Sequence, residues 1–128
     1  MNIRHTLLLT NDRHFEEVLT EALAEVGSAT RVTKNVGEAL EIGCRPEAEF
    51  DLVVIDRSDC HAITLLCALK TCRPGLPIIV VTSSDPCHCA ALAYANGATA
   101  CLAKPITATE LSLAIHELRE PQLQLTAA

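Results

Sequence analysis

Five short runs of aliphatic and β-branched residues, separated by stretches of helical period, limit this chain to very few folds. The runs are His5–Thr10, Ala29–Thr33, Asp51–Asp56, Pro77–Thr82 and Thr99–Ala103. Leu52 to Ile55 and Ile78 to Val81 carry no polar break, the pattern of strands buried on both faces. Between the runs the period changes. Phe15, Val18, Leu19, Ala22, Leu23 and Val26 fall at the spacings of one helix face, and Gly27 stops it. Ala62, Leu65, Leu66 and Leu69 form another stripe, ended by Arg73, Pro74 and Gly75. Asn35 with Glu38, and Thr107 with Glu110, have capping-box spacing. They precede Ala39, Leu40 and Ile42 in one case and Leu111, Ala114, Ile115 and Leu118 in the other. Asp85 and Pro86 supply a cap and a first-turn proline for a helix that runs through Leu92 and closes at Asn96 and Gly97.

Strands alternating with helices predict an α/β domain, a parallel sheet covered by helices on both sides. The 128 residues suit one core, so the reading is a single domain over residues 1–120 with a short tail over 121–128, frayed from Gln122 onward. No apolar run approaches the twenty residues of a membrane span, and Leu7 to Leu9 are too few for a signal peptide. The sequence therefore predicts a soluble, cytoplasmic protein. A net charge of −6 and three aromatic residues (Phe15, Phe50, Tyr94) argue against nucleic-acid binding. Seven cysteines, an odd number without an export signal, predict reduced thiols rather than a disulfide scaffold.

Open parallel sheets bind ligands beyond the carboxyl ends of their strands. Those ends carry Asn11 and Asp12, then Asp56, then Thr82, then Lys104 followed by Pro105. Two carboxylates suit a hard divalent cation, Mg²⁺ above all. A carboxylate also attacks phosphorus to give an acyl phosphate, with a lysine and a hydroxyl to receive the phosphoryl oxygens.

At these residues the chain resembles the receiver domain of two-component response regulators, of the single-domain, chemotaxis-regulator-like kind. The matching stretches are Leu7–Asp12, Asp51–Asp56, Leu76–Thr82, Ala95–Ala98 and Cys101–Pro105, and they cover roughly residues 5–119. The resemblance implies a flavodoxin-like, doubly wound five-stranded parallel sheet of order 2-1-3-4-5 with five helices. It implies Asp56 as phosphoacceptor, Thr82 as switch hydroxyl and Lys104 as phosphoryl contact. It assigns Mg²⁺ to Asn11, Asp12, Asp56 and the Ser58 carbonyl. It implies a histidine kinase or phosphotransfer protein as partner, and a signalling and homodimer face built from the fourth helix, fifth strand and fifth helix. Such a protein is a phosphoacceptor and not an enzyme acting on a metabolite.

Four positions depart from the family pattern. Asn11 stands where a second acid is usual, Cys60 and Thr64 replace a common Pro and Gly, and Cys101 replaces the aromatic switch residue. With no ring to swing inward, activation is expected to change partner binding only modestly. Two other readings follow from the residues. One is a pseudo-receiver that keeps the fold and binds proteins without being phosphorylated. The other is a thiol or metal sensor using Cys60 and His61 in the loop after the third strand with Cys87, His88 and Cys89. Cys44, Cys67, Cys72 and Cys101 read as small buried residues. Tyr94 reads as a partly buried helix residue, and Leu113 lies off its helix's core stripe and is expected to face outward.

Overall fold

The computed structural model describes residues 3–45, 49–57, 60–82 and 86–119, with the backbone alone at 60, 86–90 and 119. Strands β1 (His5–Leu9), β2 (Ala29–Thr33), β3 (Leu52–Asp56), β4 (Ile78–Thr82) and β5 (Ala100–Ala103) alternate with five helices. These are α1 (Arg13–Glu25), α2 (Val36–Gly43), α3 (Cys60–Cys72), α4 (Pro86–Ala95) and α5 (Ala108–Arg119). The sheet is wholly parallel, in the order β2-β1-β3-β4-β5. The doubly wound order and the five-helix count agree with the sequence reading.

Strand alternation divides the core in two. Leu7, Leu9, Val53, Ile55, Ile78 and Val80 face Ala39 and Ile42 of α2, Leu65, Leu66 and Leu69 of α3, and Ala93 of α4. Leu8, Leu52, Val54, Ile79 and Val81 face Phe15, Leu19 and Leu23 of α1 with Leu111 and Ile115 of α5. Each fully buried Leu or Ile contributes about 1.5–3 kcal/mol, so these two layers supply the main driving force for folding. The stripes read from spacing are the faces that pack.

Caps set the helix starts. The Asn35 side chain accepts from Glu38 N at 3.0 Å. At α5 the box closes both ways: Glu110 N donates to Thr107 Oγ1 at 3.1 Å, and Thr107 N donates to Glu110 Oε1 at 3.3 Å. Helix ends are set by Gly27 and Gly97, whose φ of 81° and 104° are open to glycine at little cost. Lys70 pins the turn after α3, its ammonium donating to Leu76 O at 2.7 Å, and burial lowers its pKa.

Several boundaries and environments differ from expectation. Thr10, Asp51, Pro77 and Thr99 flank their strands rather than belong to them. Asp51 instead accepts from the backbone N–H groups of Arg4 and His5, at 2.8 and 3.2 Å, and ties down the start of β1. Cys60 and His61 open α3 and are not loop residues. Cys44, Cys67 and Cys101 are only half-buried and Cys72 is exposed, because each lies at a helix end, on a helix flank or on the edge strand. Burial pushes the Cys44 thiol up to about 11, with the Cys72 thiol beside it adding to the shift, so Cys44 is a poor nucleophile. Tyr94 is 52% exposed, so its ring lies outside the core. Its hydroxyl nevertheless accepts from Cys101 N at 3.0 Å and satisfies a backbone donor on the edge strand. Leu113 is 57% exposed, as its offset from the stripe required. No helix among the described residues is long and apolar enough to cross a membrane.

Candidate functional site

Pairing in register places the carboxyl ends of β1, β3 and β4 along one edge of the sheet. Leu9 stands beside Ile55, Asp56 beside Val81, and Thr82 beside Ala103, one residue before Lys104. Lys104 N donates to Thr82 O at 2.8 Å, which continues the ladder past β5. The Lys104–Pro105 peptide is cis.

The Lys104 ammonium bridges both carboxylates, 2.8 Å from Asp12 Oδ2 and 2.8 Å from Asp56 Oδ2. Its Nζ also lies 5.0 Å from the centre of the Phe15 ring, a cation–π contact that helps hold the amine in place. Lys104 is 21% exposed, Asp56 7% and Asp12 40%, so Asp56 is the sheltered acid and Asp12 the solvent-facing one. Asp12 does two jobs. Its Oδ1 accepts from Phe15 N at 3.1 Å and caps α1, while Oδ2 meets Lys104. The bond from Lys104 and then the cap bond from Phe15 hold its carboxyl below the usual carboxylate range. Burial alone would lower the Lys104 pKa, but its bonds to Asp12 and Asp56 outweigh that and raise it.

Two further groups complete the site. Thr10, buried just past β1, donates through Oγ1 to Asp56 Oδ2 at 2.5 Å and accepts from Asp12 N at 3.0 Å. Thr82 is buried at the end of β4, and its hydroxyl has no hydrogen-bond partner among the described residues. A buried orphan hydroxyl is costly, and a ligand oxygen would relieve it.

Asp12, Asp56 and Lys104 thus meet as the strand-end argument required, and Thr82 stands at the adjoining strand end. Asn11 is exposed at the turn between β1 and α1, and Ser58 lies outside the described residues. The donor set fits Mg²⁺: the Asp12 and Asp56 carboxylates offer hard oxygen ligands at a partly open edge, Asp12 being 40% exposed. Asp12 and Asp56 would hold the ion, with Asn11 beside them in place of a second acid. Among the described residues no three His, Cys, Asp or Glu side chains gather as a metal site. The side chains of Cys60, Cys87, His88 and Cys89 lie outside the described residues, and His61 is exposed. Sequence reasoning missed Thr10 and the Phe15 contact. A polar residue directly after Leu7–Leu9, where an aliphatic one continues such a strand, was the available signal for Thr10.

A doubly wound parallel sheet with two aspartates and a lysine joined at its carboxyl edge defines the class: a signalling receiver fold. The model of the response regulator receiver domain matches residues 7–116, and the chain belongs to that family, the receiver domains of two-component systems. It is 33% identical over 107 residues to the DNA-binding transcriptional regulator NtrC of Rhizobium meliloti (strain 1021). That match covers 82% of this chain and 22% of the relative. NtrC of Azospirillum brasilense is 31% identical over 113 residues, with 87% and 23% covered. The chain therefore spans less than a quarter of the length of these relatives. Among solved structures, a CheY-like receiver domain protein from Methanospirillum hungatei JF-1 superposes with a TM-score of 0.80 at 23% identity, covering 98% of this chain and 99% of that one. NtrX from Brucella abortus gives 0.76 at 22% identity, covering 91% and 26%. At such identities these two likenesses bear on the fold alone.

Proposed function

We propose that Asp56 accepts a phosphoryl group, from a histidine kinase or phosphotransfer protein, and that the resulting acyl phosphate switches protein–protein contacts. The observation that carries this reading is the Lys104 ammonium held 2.8 Å from both Asp12 and Asp56. In the transfer an Asp56 oxygen attacks phosphorus, the bond from phosphorus to the donor's imidazole nitrogen breaks, and its electron pair stays on that nitrogen. Lys104, already within reach, follows the charge onto the phosphoryl oxygens, and the orphan Thr82 hydroxyl donates to another of them. Mg²⁺, when bound by Asp12 and Asp56, supplies neutralisation of the phosphoryl charge. The protein acts on no metabolite and at most promotes its own phosphorylation and dephosphorylation.

The contact face we assign is that of α4, β5 and α5, where Leu92, Tyr94 and Leu113 are exposed. It serves a protein partner or a second copy of the chain. The pseudo-receiver reading draws on one observation, the neutral Asn11 at a position where the receiver pattern usually has a second acid. One assay separates the two. Wild type incubated with Mg²⁺ and acetyl phosphate gains the mass of one phosphoryl group, and Asp56→Asn gains none. Equal labelling of both proteins refutes the Asp56 assignment, and labelling of neither favours the pseudo-receiver.

A further inference from the structure

We propose that the Thr10 hydroxyl is a positioning group that shortens the lifetime of the phosphorylated state. This rests on Asp56 being the phosphoacceptor. Thr10 is buried at the end of β1, and its hydroxyl orientation is fixed from both sides. Its oxygen accepts from Asp12 N at 3.0 Å, and its proton is left to point at Asp56 Oδ2, 2.5 Å away. A carboxylate only accepts, so Thr10 is the donor in that contact. Lys104 takes the same Oδ2 at 2.8 Å. Both donors converge on Oδ2, so Oδ1 is the oxygen freer to bond phosphorus; once Lys104 moves to the phosphoryl oxygens, Thr10 keeps its place on Oδ2 and the second lone pair there is open to the ion.

The consequence follows from charge. In the unphosphorylated protein Oδ2 belongs to a carboxylate, and the Thr10 bond is charge-assisted. In the acyl phosphate Oδ2 is a neutral carbonyl oxygen and the same bond is weaker. During hydrolysis a water oxygen bonds to phosphorus and the bond from phosphorus to Oδ1 breaks. Its electron pair returns to the carboxylate and spreads over both oxygens, and inorganic phosphate leaves carrying both protons of the water. The Thr10 bond strengthens as that bond breaks, so it stabilises the transition state more than the acyl phosphate. An aliphatic residue at position 10 would fill the same space and offer no donor.

The test compares wild type, Thr10→Val and Thr10→Ser. Each is phosphorylated with acetyl phosphate and Mg²⁺, freed of donor, and followed by intact mass as the phosphoryl group is lost. Thr10→Val, nearly isosteric, should lose it more slowly, on the order of fivefold, the ratio between a charge-assisted and a neutral bond. Thr10→Ser restores the donor and should restore the fast decay, which a purely packing role would not produce. Should Thr10→Val fail to fold, as judged by circular dichroism, Thr10→Ala against Thr10→Ser carries the same comparison. Decay of the hydroxyl-free variant at the wild-type rate, or faster, overturns the role of Thr10 and leaves the Asp56 assignment standing. No phosphoryl gain by wild type overturns the Asp56 assignment, and the Thr10 role falls with it.

Discussion

Replacing Lys104 by Gln should destabilise the fold, because the ammonium is what lets two carboxylates share one sheet edge. The two arms of the bridge differ in worth. Asp12 is 40% exposed, so its arm is screened and contributes at most about 1 kcal/mol. Asp56 is 7% exposed, and a charge-assisted bond there contributes about 1.5–3 kcal/mol. Gln keeps the packing stem and a weaker donor, which recovers a fraction of this. The net loss is about 2 kcal/mol, or roughly 6–8 °C in Tm for a domain of this size. Urea unfolding at neutral pH without divalent ions measures it, and a cycle with Asp56→Asn isolates the coupling, expected at about 1.5 kcal/mol or more. Mg²⁺ should raise the Tm of Lys104→Gln more than that of wild type, since it then meets both carboxylates without a competing cation. A variant within about 0.5 kcal/mol of wild type, with no coupling to Asp56, would refute the bridge as a structural element.

Three further outcomes follow from the same geometry. The lowered Asp12 pKa means that its share of stability is present above the ordinary value of 3.8 and is lost as pH falls through the folded value. The raised Lys104 pKa means that its share is full below 10.5 and is lost as pH rises through the higher folded value; unfolding of Asp12→Asn across pH should show neither the acid loss nor all of the alkaline one. Gly97→Ala should cost about 1–2 kcal/mol, because φ is 104° and the new Cβ meets Lys70 Cγ at 3.1 Å, and denaturant titration reads it directly. Asn11→Asp should tighten Mg²⁺ binding several-fold at constant ionic strength, and an unchanged affinity would place Asn11 outside the ion's surroundings.

The fold was legible because burial leaves periodic marks. Leu65, Leu66 and Leu69 recur on one helix face because one face packs, and Leu52 to Ile55 lack polar breaks because β3 is covered on both sides. The acids and the lysine of the site were legible for a topological reason: in a parallel sheet the strand ends converge whatever their distance along the chain. Cross-element contacts left no such mark. Phe15 belongs to the helical stripe, so spacing assigned it to the core and gave no hint of the cation above it. Thr10 looked like the last residue of a strand, and only the placement of β3 beside β1 brings Asp56 to its hydroxyl. The cysteines were misread because burial follows from position in the fold, and Cys72 lies at the exposed end of α3. Tyr94 reaches Cys101 N across a connection whose geometry no local pattern encodes.

The central claim is that Asp56 carries the phosphoryl group, and chemical trapping of the acyl phosphate tests it most directly. Borohydride reduces an acyl phosphate to an alcohol with loss of phosphate and leaves a free carboxylate untouched. Protein phosphorylated in the presence of Mg²⁺, reduced and digested should therefore show homoserine in place of aspartate at position 56 and nowhere else. Reduction at Asp12, or an unreduced Asp56 in protein that carries the added phosphoryl mass, would contradict the account.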